Sequence, residues 1–91
     1  MEYEWDETKR QSNLEIHGLD FADAFDFEWN SVLVLEDNRR DYQETRYIAY
    51  GKLRGRLTVL VFALRDEAIR VISFRRANSR EVSRYESQIE N

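Results

Sequence analysis

The chain has no cysteine, no proline and only three glycines among its 91 residues. Without cysteine it can form no disulfide, no thiolate metal ligand and no thiol nucleophile. A single histidine, His17, argues further against a structural zinc site. The lack of cysteine fits a reducing compartment, and we expect a cytoplasmic protein with no cofactor.

Long hydrophobic runs are absent as well. The longest apolar stretch, residues 57–64, is far shorter than the ~20 residues that a membrane-spanning helix needs. No basic segment followed by an apolar one opens the chain, so we expect neither a leader nor a membrane anchor. The length suits one hydrophobic core, and we predict a single domain over residues 1–91.

Charge is plentiful but unevenly distributed. The net charge is −4, yet residues 1–44 hold 13 acidic and 4 basic side chains, whereas residues 45–91 hold 5 acidic and 10 basic ones. Nine of those ten are arginines, the side chain best suited to bidentate contact with phosphate. The basic half is therefore either a phosphate-binding surface or the electrostatic complement of the acidic half within one fold.

Capping residues define the helices. Asp6 is a suitable N-cap for a helix over residues 7–17 that ends at Gly18. Asp20 begins a second short helix, for which we expect an apolar face formed by Phe21, Ala22, Ala24 and Phe25. Near the other end, residues 78–81 read as a capping box that opens a final helix with an apolar stripe of Val82, Tyr85 and Ile89.

Between the helices, patterns of strand residues recur. Strands are predicted at residues 31–36, 45–50, 57–64 and 68–76, with a hairpin loop over residues 51–55 and a possible short strand at residues 3–5. In the last long strand, strict alternation places Arg75 with Ile69 and Val71, opposite Arg76. The predicted fold class is α+β: two N-terminal helices, a four-stranded antiparallel sheet and a C-terminal helix.

Two groups of residues are candidates for chemistry. Lys9, Asn13 and His17 are spaced four apart, so on a helix they form one stripe, which is either a solvated face or part of a site. His17 could transfer protons near neutral pH, or could simply interact with the helix dipole. Arg75 and Arg76 precede a helix N-terminus and could bind phosphate or pair with acidic residues; for Arg76 we favour pairing.

Together these segments resemble the BrnT family, the ribonuclease partner of type II toxin–antitoxin pairs. The resemblance covers nearly the whole chain in order. It is carried by Trp5, Asp6, Lys9, Asn13, His17, Gly18, Phe21, Arg46, Gly51, Gly55, Arg56, Arg70, Ile72, Ser73, Arg75, Ala77, Glu81 and Tyr85.

The resemblance implies a RelE-like fold and metal-independent cleavage of RNA that inhibits translation. It implies Lys9, His17 and Arg75 as catalytic residues and Asn13, Arg56 and Arg76 as RNA contacts, with the first group facing a common groove. It also implies a BrnA-like antitoxin that neutralises the toxin in a heterotetramer and supplies the only contact with DNA.

One position departs from the family pattern. Family members usually carry a lysine directly before the histidine, where this chain has Ile16. Loss of that cation would weaken phosphate binding. A catalytically impaired homologue that binds the antitoxin and tunes repression is therefore the alternative function.

Overall fold

The computed structural model describes residues 2–41 and 43–89. It confirms the α+β class. Its elements, in chain order, are β1 (Glu2–Glu4), α1 (Glu7–His17), a 3₁₀ helix (Phe21–Asp26), β2 (Phe27–Glu36), β3 (Arg46–Leu53), β4 (Arg56–Arg65), β5 (Ala68–Arg76) and α2 (Ser79–Ile89).

The sheet has five strands in the order β1-β5-β4-β3-β2. Strands β2 to β5 form the expected antiparallel meander, but β1 pairs with β5 in parallel, so Tyr3 lies opposite Ile69. The prediction of a four-stranded, purely antiparallel sheet is therefore wrong. A three-residue strand carries too little pattern to assign its partner, which only the folded chain supplies.

The predicted helix boundaries are confirmed at several caps. The Asp6 side chain accepts the Lys9 N–H at 3.1 Å, and Gly18 ends α1 in the left-handed conformation with φ of 74°. Asn78 and Glu81 form the reciprocal capping box of α2. The second helix is a 3₁₀ helix rather than an α-helix.

Two apolar faces differ from expectation in detail. In the 3₁₀ helix, Phe21 and Ala24 are buried, whereas Ala22 and Phe25 are exposed. In α2, Tyr85 is buried and donates its hydroxyl hydrogen to the Ser31 carbonyl, which confirms its predicted place in the core, but Ile89 of the expected stripe is exposed. A short helix on a sheet can bury only the side chains directly beneath it.

The hairpin between β3 and β4 is tighter than predicted. The turn residues are Arg54 and Gly55, with φ of 51° and 84°, the two positive values of a type I′ turn. Gly51 is therefore not a loop residue but part of β3. A Cβ at Gly51 would come within 2.4 Å of the Phe27 ring, so the glycine permits close packing there.

The main core lies on one face of the sheet. A β-bulge in β5 decides which residues reach it: Val71 pairs with Phe62 and Ser73 with Val61, leaving Ile72 without a cross-strand partner. Ile69, Val71 and Phe74 consequently share the core face, and the strict alternation predicted from sequence is wrong beyond Val71. No helix in the described chain is both long and apolar enough to cross a membrane.

Candidate functional site

Helix α1 lies along the outer edge of β5, beyond the point where β1 ends. The Asn13 side chain joins the two elements. Its Nδ2 donates to the Phe74 carbonyl at 2.6 Å and the Leu19 carbonyl at 3.0 Å, and its Oδ1 accepts the Phe74 N–H at 3.1 Å. The amide thus satisfies the open edge of the sheet as a neighbouring strand would.

Asn13 is therefore not part of an exposed stripe. It is buried, and both of its Nδ2 hydrogens and its carbonyl oxygen are bonded to backbone groups. Helical spacing alone could not show this, because every fourth residue shares a helix face whether that face is wet or docked. The geometry supports a positioning function for Asn13, and its expected contact with RNA stays a prediction.

A shallow depression of about 240 Å³ opens beside Asn13, between α1 and β5. Lys9 and His17 both line it, together with Thr8, Ser12, Asn13, Ile16 and Ile72. The two side chains lie one helical turn before and after Asn13. The bonds from Asn13 to Phe74 therefore set the position of both side chains relative to β5. The bulge residue Ile72 supplies the apolar floor of the depression.

Lys9 and His17 are exposed, and neither side chain forms a hydrogen bond or ion pair with a described residue. A lysine supplies a compact positive charge, and a histidine can gain or lose a proton close to neutral pH. The depression therefore combines a cation with a group able to transfer protons, on a surface open to a large substrate.

Arg75 belongs to a second cluster. Its Nη1 donates to Glu81 Oε1 at 2.9 Å and its Nη2 to Glu81 Oε2 at 2.8 Å, a bidentate ion pair at the start of α2. The hydrogen bond from Arg75 holds the pKa of the Glu81 carboxyl below its usual range, and the same bond raises the pKa of Arg75. Glu81 is well covered, whereas 36% of the Arg75 side chain is exposed.

The register shows how Arg75 is oriented. Phe74 pairs with Leu60 on the core face, and Arg75 pairs with Val59, so its side chain leaves the sheet on the opposite face. Arg75 does not line the depression that holds Lys9 and His17. The candidate residues thus form two clusters, which β5 connects because Asn13 bonds the residue directly before Arg75. A groove common to both clusters stays a prediction.

The other two expected RNA contacts lie at one end of the sheet. Arg76 pairs across the sheet with Thr58, two residues after Arg56, so the register places both arginines on the same face. Both are exposed and have no ion pair with a residue in the described ranges. Pairing with an acidic residue, the interpretation favoured for Arg76, is therefore wrong.

Electrostatic complementarity between the halves is partly realised. Arg54 bonds Asp23 and Asp26, Arg65 bonds Glu44, and Arg70 bonds Glu4, so these ion pairs cross from the basic half to the acidic one. Among the described residues of the basic half, the arginines without an ion pair are Arg56, Arg76, Arg80 and Arg84, all exposed. Complementarity thus applies to some of the arginines, and phosphate binding by the others stays a prediction.

Sequence reasoning missed two members of the site. Glu81 was recognised as a capping residue, but its bond to Arg75 was not expected. The two residues are only six positions apart, across the junction between β5 and α2, and this short separation was the available signal. Ile72 was missed because nothing in the alternating pattern marks the bulge.

An acidic depression of about 300 Å³ lies between the ends of β2 and β3, lined by residues that include Glu36, Asp37, Asp41 and Glu44. Across the described residues, no group of three or more histidine, aspartate or glutamate side chains could hold a metal ion.

Residues 5–81 match the model of the family described as the ribonuclease toxin, BrnT, of type II toxin–antitoxin systems. The match begins just before α1 and ends at Glu81, so it includes the depression and the Arg75 cluster. The chain belongs to the BrnT family of ribonuclease toxins. A search among curated proteins finds no match.

Proposed function

We propose that this chain is a metal-independent endoribonuclease with a RelE-like fold, the toxin of a type II pair, whose cleavage of RNA inhibits translation. The observation that carries the proposal is the joining of two cationic clusters through one strand. Lys9 and His17 share a depression beside Asn13, and the Asn13 side chain is bonded to Phe74. Arg75 follows Phe74 in β5.

The proposed reaction uses the RNA's own nucleophile. The ribose 2′-oxygen attacks the adjacent phosphorus, a new P–O2′ bond forms, and the P–O5′ bond breaks, leaving a 2′,3′-cyclic phosphate and a 5′-hydroxyl. His17 or Lys9 assists transfer of the proton that leaves the 2′-hydroxyl and of the one that the 5′-oxygen gains. Arg75 stabilises the charge on the pentacoordinate phosphorus.

The remaining cations extend the surface for a polynucleotide. Arg56 and Arg76, both exposed on one sheet face, are proposed to contact phosphates flanking the cleaved bond. Such contacts carry little sequence information, and their contribution to affinity should weaken as salt concentration rises. Binding of RNA by an acidic protein then depends on local charge rather than on the net charge.

A cleavage assay tests the proposal. The purified chain should degrade RNA in the presence of EDTA and yield cyclic phosphate ends. His17→Ala and Lys9→Ala should each lower the cleavage rate roughly 100-fold if they serve proton transfer. Glu15→Gln, an exposed change on the same helix outside the depression, is the matched control and should cleave like the unaltered chain. Absence of any cleavage would refute the enzymatic proposal.

The partner is proposed to be a BrnA-like antitoxin that binds DNA, blocks the toxin and assembles with it in a heterotetramer. Induced expression of this chain in the cytoplasm should arrest growth, and co-expression with the product of the neighbouring reading frame should restore it. Light scattering of the purified complex measures the stoichiometry. Arrest that persists despite a stable complex would contradict neutralisation.

A second function is favoured by one observation. Ile16 is 74% exposed beside His17, at the position where the family usually carries lysine, so Lys9 is left without that second cation beside it. A catalytically impaired homologue would bind the antitoxin and tune repression without cutting RNA. Tight antitoxin binding without cleavage or growth arrest would establish this alternative.

A further inference from the structure

The guanidinium of Arg75 has two edges that can each bind a pair of oxygens. The terminal edge, formed by Nη1 and Nη2, is occupied by the two carboxylate oxygens of Glu81. The second hydrogen of Nη1 is donated to the Arg76 carbonyl at 3.2 Å. Of the five N–H donors, this leaves Nε–H and one Nη2–H, which together form the side edge.

The side edge has no partner among residues 2–41 and 43–89. It is also not sealed inside the protein, because 36% of the Arg75 side chain is exposed and its Nε is not among the buried unsatisfied atoms. A planar pair of N–H donors in this geometry matches two oxygens of a phosphate. One edge of the arginine is thus held by the protein while the other is open.

Glu81 is itself firmly held. Its Oε1 accepts the Asn78 N–H at 2.9 Å, and its own N–H donates to Asn78 Oδ1 at 2.8 Å, so the capping box fixes the carboxylate at the start of α2. Only 14% of its side chain is exposed. The carboxylate therefore can orient the flexible arginine at a small cost in its own conformational entropy.

We propose that Glu81 is a positioning residue, which binds the terminal edge of Arg75 so that the Nε and Nη2 edge is presented to an RNA phosphate. This inference rests on the proposed ribonuclease function and names the residue that prepares its arginine. Glu81 does not contact the substrate. It removes rotational freedom from the guanidinium before the phosphate arrives.

Glu81→Gln is the decisive variant, because the amide oxygen can still accept the Asn78 N–H and keep the α2 cap. We expect kcat for RNA cleavage to fall roughly 10- to 100-fold, since the guanidinium is no longer aligned. KM should change by less than about threefold, because charge attraction to phosphate remains. A purely structural function of Glu81 would lower the melting temperature without this separation of kcat from KM.

Two controls separate positioning from other effects. Asn78→Ala removes half of the cap but keeps the backbone N–H that bonds Glu81, and it should leave kcat near its original value. Glu44→Gln breaks a comparable arginine–carboxylate pair, with Arg65, elsewhere on the surface and should also leave kcat unchanged. An equal loss of kcat in Asn78→Ala and Glu81→Gln would overturn the inference.

A binding measurement decides the inference independently of cleavage. A 2′-O-methyl RNA oligonucleotide cannot supply the attacking oxygen, so it binds without being cut. Its addition should shift the NMR signal of Arg75 Nε–H, assigned by its absence in Arg75→Lys, and the shift should be lost or broadened in Glu81→Gln. An unresponsive Nε–H signal in the unaltered chain, or an identical shift and identical kcat in Glu81→Gln, would refute positioning. A chain that cuts no RNA but shows the Glu81-dependent shift would contradict only the proposed cleavage.

Discussion

The two clusters of the candidate site differ in how their cations are held. Lys9 and His17 line an open depression and have no side-chain partner among the described residues, whereas Arg75 is bound at both oxygens of Glu81. Free groups can move protons and follow a substrate, but an arginine that stabilises developing charge works best when already oriented. We therefore assign proton transfer to the unpaired side chains and charge stabilisation to the arginine that Glu81 holds.

Removing Arg75, the cation that Glu81 holds, should have the largest effect on cleavage. Arg75→Ala is expected to lower kcat roughly 100- to 1,000-fold, the usual loss when a donor to a charged transition state is deleted. If both clusters act on one phosphate, the double change with His17→Ala should cost much less than the product of the single losses. Single-turnover cleavage rates for the four proteins measure this.

Arg65→Ala, which removes an arginine from an exposed ion pair, is the control and should leave kcat unchanged. Fully multiplicative losses in the double variant would show that the two clusters act independently. Retained cleavage in Arg75→Ala would remove Arg75 from the mechanism altogether.

Removing the Asn13 side chain, which connects α1 to β5, should chiefly lower stability. Asn13→Ala would leave the Phe74 N–H and two carbonyls without their buried partner, so we expect a loss of about 2–3 kcal/mol in the free energy of unfolding. Urea titration followed by circular dichroism measures it. Glu15→Ala, exposed on the same helix, should change that free energy by less than about 0.5 kcal/mol. Comparable losses in both variants would contradict the docking function of Asn13.

Acid should weaken the ion pair between Arg75 and Glu81. The pKa of Glu81 is lowered in the folded protein by its bond to Arg75, so its stabilisation is present above the ordinary carboxyl value of 4.5 and is lost as pH falls through the folded value. At neutral pH, Glu81→Gln should lower the free energy of unfolding by about 1 kcal/mol, since the pair is partly exposed. In urea titrations, the difference between the two proteins should shrink as pH falls below 4.5. A constant difference across this range would contradict the assigned linkage.

Adding a positive charge beside Lys9 and His17 should have the smallest effect, a modest gain in RNA affinity. Ile16→Lys places a charge beside His17, and we expect RNA affinity to rise by about fivefold or less, as for an exposed ion pair. Fluorescence anisotropy with a 2′-O-methyl oligonucleotide at two salt concentrations tests this, because the gain should shrink as salt rises. Ile89→Lys, a partly exposed isoleucine in α2, is the comparison. An equal gain in both variants would indicate general charge attraction instead of a site.

Much of the fold could be predicted from local signals. The Asp6 and Gly18 caps bounded α1, and the capping box of Asn78 and Glu81 marked the start of α2. These succeeded because caps depend on residues only a few positions apart. The parallel pairing of β1 and the bulge at Ile72 could not be predicted, because they depend on which distant segment lies alongside.

The candidate site divides in the same way. The helical spacing of Lys9 and His17 predicted that both would lie on one side of α1, and they share a depression. The same spacing misjudged Asn13, whose partners Phe74 and Leu19 lie outside the helix. Arg75 does not line that depression, and a groove common to all three residues stays a prediction.

By itself, then, the order of residues determined the α+β class, both ends of α1, the start of α2 and the stripe that brings Lys9 near His17. The helix limits and the stripe follow from interactions within a few positions. Only the tertiary structure decided that Asn13 closes a sheet edge and that Glu81 holds Arg75. Those contacts join segments whose approach depends on strand register and the packing of one buried face. Local sequence patterns do not specify either of these.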